Sequence, residues 1–124
     1  MDFKLKAHRQ LLETLTLART GKTDGVGNGR DNTITGNGGA NILNGGSGDD
    51  TLIGGDGHDT FAQNSGKDSM IGGLGDDTYN LDRAKDKILE LEGEGTDYVF
   101  AGFDFDMKQY SQHIEVLELT GSAD

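Results

Sequence analysis

Cysteine is absent from this 124-residue chain. That excludes disulfides and the thiolate sites that zinc prefers. Hydrophobic residues are scarce at 32%, and aromatic ones scarcer at 6%. Such a composition leaves little apolar surface to offset the entropy of ordering a chain, so a folded state needs a second source of stability. Basic residues are outnumbered, with 11 Lys and Arg against 22 Asp and Glu, for a formal charge of −11. This balance argues against a nucleic-acid partner, whose phosphates would be repelled, and suits a multivalent hard cation. No run approaches the length of a transmembrane helix. The opening residues MDFKLKAHRQ lack the apolar core of a secretory signal. A cytosolic protein, a piece of a longer chain, and a protein exported without an N-terminal signal all fit.

What is present is glycine, at 21 positions, and a nine-residue beat. From Gly27 the blocks read GNGRDNTIT, GNGGANILN, GGSGDDTLI, GGDGHDTFA, QNSGKDSMI, GGLGDDTYN and LDRAKDKIL. The sixth slot holds Asn32, Asn41, Asp50, Asp59, Asp68, Asp77 and Asp86. The eighth holds Ile34, Leu43, Leu52, Phe61, Met70, Tyr79 and Ile88. A fixed-period repeat of this kind specifies a solenoid. The Gly-rich first six positions form a turn, since glycine supplies the positive φ that tight turns demand. The last three form a short strand whose eighth-slot side chain points inward.

Two blocks close one coil, so residues 18 apart stack. The expected interior ladders are Ile34, Leu52, Met70, Ile88 and Leu43, Phe61, Tyr79. Stacked strands lie about 4.8 Å apart, close enough for successive turns to share a Ca²⁺ ion, which takes oxygen ligands at roughly 2.3–2.6 Å. The stacking sets Asp50 near Asp68, Asp68 near Asp86 and Asp59 near Asp77, like charges that a cation would relieve. About three to four Ca²⁺ ions are expected, between turns starting at 45/63, 63/81, 54/72 and 72/93. Asn32 and Asn41 offer neutral amides, so the first coil is expected to bind calcium weakly or merely to stack. After the array, Gly95–Val99 repeats the end of the pattern. Asp97 follows Asp86 by 11 residues, which reads as one more coil with a two-residue insertion in its turn.

A longer period overlies the short one. At an offset of 102, Asp2, Phe3, Lys6, Gln10, Glu13, Leu15 and Leu17 match Asp104, Phe105, Lys108, Gln112, Glu115, Leu117 and Leu119. The chain therefore reads as a piece of a tandem array: 1–26 the tail of one unit, 27–101 the calcium-binding roll, 102–124 the start of the next. Strands are expected near 12–17 and 114–120, extending the sheet. Residues 4–10 and 107–113 read equally as short helix or irregular loop.

GGSGDDTLI (45–53), GGDGHDTFA (54–62) and GGLGDDTYN (72–80) resemble the repeats-in-toxin (RTX) nonapeptide, a calcium-binding repeat that belongs to the recognised repertoire of solenoid sequences. The resemblance covers 27–89 well and 93–101 loosely. It implies an all-β fold, a right-handed parallel β-roll, with the sixth-slot aspartates as side-chain ligands: Asp50, Asp59, Asp68, Asp77 and Asp86. Carbonyls of Gly46, Gly48, Gly55, Gly57, Gly73 and Gly75 would complete the shell. The block at 63 lacks both leading glycines and the block at 81 has none. The resemblance also implies type I secretion and folding outside the cell.

Asp31, Asp49, Asp56 and Asp76 occupy other slots and read as solvated or supporting charges, His58 as an exposed turn residue, and Phe61 and Tyr79 as core. The acids are periodic, and no nucleophile or base gathers in a pocket, so no enzyme is expected. The leading reading is a calcium-dependent structural and folding module of a secreted bacterial protein. The alternatives are an adhesin or carbohydrate-binding segment that uses calcium to hold an extracellular polysaccharide or cell-surface ligand, and a targeting module of a secreted protease or polysaccharide-modifying enzyme. Exposed coil ends leave sheet edges open to end-to-end self-association.

Overall fold

Most blocks end on an apolar residue flanked by small polar or β-branched ones, and each block forms a strand there. A computed structural model describes residues 3–4, 13–18, 21–62, 65–81, 85–102 and 113–119. The strands are β1 (Phe3–Lys4), β2 (Thr14–Thr16), β3 (Gly25–Val26), β4 (Thr33–Thr35), β5 (Ile42–Asn44), β6 (Thr51–Asp56), β7 (Thr60–Phe61), β8 (Ser69–Leu74), β9 (Thr78–Leu81), β10 (Lys87–Leu89), β11 (Tyr98–Ala101) and β12 (Val116–Leu119). They alternate between two parallel sheets. One runs β1-β3-β5-β7-β9-β11-β12, the other β10-β8-β6-β4-β2. The described chain is all strand and turn, wound as a β-solenoid of about five turns that matches a β-roll.

The register is the one the 18-residue stacking requires. Ile34 pairs with Leu52, Leu52 with Met70, and Met70 with Ile88. On the other sheet Leu43 pairs with Phe61 and Phe61 with Tyr79. All seven eighth-slot side chains are buried. The Phe61 and Tyr79 rings stack 4.7 Å apart and 6° from parallel, which accounts for them as core. The inserted coil also holds its place, with Val99 pairing with Tyr79 at an offset of 20. Both flanking strands form where the alternation put them. β2 extends one sheet through Leu15 and Ile34, β12 the other through Leu117 and Val99. Strand β3 adds an earlier rung in which Gly25 sits above Leu43; a Cβ there would press on Ile34 Cγ2 at 2.8 Å. Most of 4–10 and 107–113, read as helix or loop, lies outside the described residues, as does 120 of the expected second strand.

The turns divide into two kinds. From block 45 onward the second- and fourth-slot glycines, such as Gly46 and Gly48, take positive φ of 100° and 115°, a region that L side chains rarely adopt. In the first two blocks Asn28, Arg30 and Asn37 stand at those slots, and no non-glycine residue has positive φ. Those turns close instead through their asparagines.

Candidate metal centre

The sixth-slot residues line the inside of the two turn edges. Asn32, Asn41, Asp50, Asp59, Asp68, Asp77, Asp86 and Asp97 are all buried. On one edge Asp50 Oδ1 accepts the Asn32 N–H at 2.7 Å, Asp68 Oδ1 the Asp50 N–H at 2.9 Å, and Asp86 Oδ1 the Asp68 N–H at 3.0 Å. On the other, Asp59 accepts from Asn41 at 2.7 Å, Asp77 from Asp59 at 2.7 Å, and Asp97 from Asp77 at 2.9 Å. Each carboxylate thus reaches back one coil and spends one oxygen on a backbone amide. The other oxygen is the informative one. Oδ2 of Asp50, Asp59 and Asp77 is buried with no hydrogen-bond partner, and a buried oxygen left so is costly.

Those oxygens face the first-slot glycines. A Cβ on Gly45 would overlap Asp50 Oδ2. One on Gly54 would overlap Asp59 Oδ2 and lie 2.6 Å from the Gly72 carbonyl oxygen. One on Gly72 would overlap Asp77 Oδ2, Glu90 Oε1 and the Tyr79 hydroxyl. None of these glycines has positive φ. Glycine is required here because a side chain would overlap these oxygens, as it is at Gly27 and Gly36, where a Cβ would overlap the Gly45 and Gly54 carbonyl oxygens. A hard cation that prefers oxygen ligands fits such a donor set.

The asparagine turns show the contrast. Asn32 Oδ1 accepts the Asn28 N–H at 2.8 Å, and Asn41 Oδ1 the Asn37 N–H at 2.9 Å. The Asn41 amide also donates to the Thr23 carbonyl one coil back at 2.7 Å. Both asparagine side chains find their hydrogen-bond partners within the fold.

This is the pattern of one known family. The model of the RTX calcium-binding nonapeptide repeat matches residues 26–61 and 64–88, as four copies. Through this segment the chain belongs to the RTX calcium-binding nonapeptide-repeat family. RTX repeats bind Ca²⁺ and are typical of secreted bacterial proteins. Comparison with curated proteins and with solved structures gave no match. No helix among the described residues is long and apolar enough to cross a membrane.

The remaining residues named from the sequence are placed as follows. Gly46, Gly48, Gly55, Gly57, Gly73 and Gly75 all lie in the RTX turns with positive φ. The Gly46 carbonyl accepts the Ser65 N–H at 2.9 Å. The fifth-slot side chains form an outer ladder that sequence reasoning missed. Asp31 accepts from the Asp49 N–H at 2.8 Å, Asp49 from Lys67 at 2.9 Å, His58 Nδ1 from Asp76 at 2.8 Å, and Asp76 from Thr96 at 2.9 Å. This exposed ladder reaches forward one coil while the buried one reaches back. Glu115 was also missed as a rung; its Oε2 accepts the Asp97 N–H at 2.9 Å. Its place 18 residues after Asp97 was the available signal.

Burial raises the carboxyl pKa values, against an ordinary 3.8. Asp50 and Asp59 rise to about 6 and Asp77 to about 7, each first through desolvation and partly offset by the amide it accepts. Asp97 is raised for the same first reason. The folded metal-free roll therefore holds protons that the unfolded chain has already released. In chelator its stability should rise as pH falls from about 7 toward 4 and drop as pH climbs through 6 to 7. With calcium the sign reverses, because ligation needs the deprotonated forms. Urea midpoints in chelator at about pH 5 and pH 8 check this; a midpoint that rises with pH contradicts it.

Proposed function

We propose that the chain is a calcium-dependent folding module of a secreted, extracellular bacterial protein, exported by a type I system. In this reading Ca²⁺ ions occupy the cradles of Gly45, Gly54 and Gly72. Asp50, Asp59 and Asp77 supply side-chain oxygens, and Asp68 and Asp86 continue the row on the first edge. Turn carbonyls complete the shells, among them Gly72 at the Gly54 cradle. The supporting observation is the buried, unpartnered Oδ2 of Asp50, Asp59 and Asp77. Because these sites exist only when coils stack, the binding energy is folding energy. Binding should be cooperative, since each coil needs its neighbour. The match of 1–17 to 103–119 at an offset of 102 supports a tandem repetition of such units. Secretion and the array rest on the family and on that duplication.

The test is a calcium titration of chelator-treated protein followed by far-ultraviolet circular dichroism. Magnesium is the control, because it demands octahedral geometry and sheds water reluctantly. The expected result is a cooperative gain of β signal with calcium alone. A full β signal in chelator that calcium leaves unchanged would defeat the reading.

A further inference from the structure

One buried carboxylate stands outside the repeat pattern. Glu90 is 1% exposed, yet it follows Leu89 and precedes Leu91, which are 51% and 58% exposed. A one-residue shift of facing would bury the leucines and free the acid; the chain does the opposite. Glu90 stacks 18 residues after Gly72, in the slot that holds a glycine in the blocks at 27, 36, 45, 54 and 72. At that slot on the opposite edge stands Leu81, also fully buried, so a side chain here points into the roll.

Inside, Glu90 meets two sixth-slot residues. Ligand oxygens of Asp77, Glu90 and Asp97 lie within 4.8 Å of one another, and all three residues are buried. The Tyr79 hydroxyl donates to Glu90 Oε1 and so fixes the orientation of that carboxylate. Asp77 Oδ2, in a residue with no exposed surface, has no partner and faces the same space above Gly72. Two of these carboxyl groups, Asp77 and Glu90, set an oxygen against Gly72, and among the described residues no other three acids come so close together.

We propose that Asp77, Glu90 and Asp97 form a hard-cation site of a second type at the C-terminal end of the roll, in which the Glu90 side chain takes the place of a turn carbonyl. Its greater negative charge favours ions of higher charge, so a trivalent lanthanide should bind there first. Tyr79 at the rim makes that binding visible as tyrosine-sensitised terbium emission. The site rests on the calcium reading above, and its test separates the two.

The full chain is titrated with calcium by calorimetry and with terbium by emission, alongside E90Q, E90G and Y79F. E90G restores the glycine of the ordinary repeat and guards against misfolding specific to E90Q. The expected result in E90Q is roughly tenfold or more weaker binding of one ion per chain; E90G, which turns the Gly72 cradle into an ordinary one, keeps the ion but loses its terbium-first order. The other ions and the calcium-induced β signal remain. Y79F should dim the first terbium equivalent while keeping the ion count. Unchanged affinity for that ion in E90Q, or terbium still binding there first in E90G, would overturn the site and leave the repeat cradles standing. Failure of the unaltered chain to bind calcium at all would overturn the calcium reading itself.

Discussion

Changing Asp50, Asp59 and Asp77 together to asparagine should give a roll that stays folded in chelator and no longer responds to calcium. The chain already contains the precedent. Asn32 and Asn41 hold the same slot, are as buried as the aspartates, and satisfy their amides within the fold. An asparagine at 59 keeps the oxygen that accepts the Asn41 N–H. It replaces the unpartnered oxygen with a donor beside the Gly72 carbonyl. Each buried oxygen left unsatisfied costs about 1–3 kcal/mol, more when charged. Three such losses rival the whole stability of a small domain, about 5–15 kcal/mol. Circular dichroism in chelator and a calcium titration give the answer. A triple variant that still needs calcium to fold would remove the aspartates from the role assigned to them.

The second large effect belongs to a single methyl group. Gly54→Ala should raise the calcium midpoint by roughly tenfold or more, because an overpacking cost of about 1–3 kcal/mol adds to the loss of the ion's place. Gly54 has no positive φ, so alanine brings no backbone strain there. The whole effect comes from a Cβ that would overlap Asp59 Oδ2 and sit 2.6 Å from the Gly72 oxygen. Gly38→Ala is the control, since a Cβ at Gly38 meets nothing within 4 Å and its φ is ordinary. It should leave the midpoint unchanged. Equal shifts in the two variants would mean that the cradle is not where the ion goes.

What the sequence revealed and what it hid follow from how a repeat is read. Positions that recur are legible, so the strands of the seven blocks, both interior ladders, the inserted coil at Asp97 and the neutral asparagine coil were available from spacing, whereas β1 and β3, ahead of the array, were not. Positions that carry meaning by breaking the rule are not. Glu90 sits in an alternation, Leu89-Glu90-Leu91, that reads as two core leucines around a surface acid. Only the stacking of residue 90 on Gly72 shows that the slot faces inward. The fifth-slot ladder was hidden for another reason. His58 and Asp76 differ in type but serve one purpose, accepting an N–H from the next coil, and a pattern of residue types does not register a shared acceptor. The leading glycine was legible as a turn residue, but its reason is space and not dihedral freedom.

The coil that closes on β11 is two residues longer than the others, yet the Asp77 N–H still meets Asp97 at 2.9 Å and Val99 still pairs with Tyr79. The extra length is absorbed at 91–94, where Glu94 folds back onto Leu91 and a Cβ on Gly93 would meet nothing within 4 Å. Length is therefore fixed in the strands and taken up at this outer corner, just ahead of the Glu94 carbonyl that accepts the Gly75 N–H at 2.7 Å. The corner is a natural socket for foreign sequence: a recognition loop spliced there would ride on the roll without disturbing its rungs, and would be displayed only when the rungs are assembled.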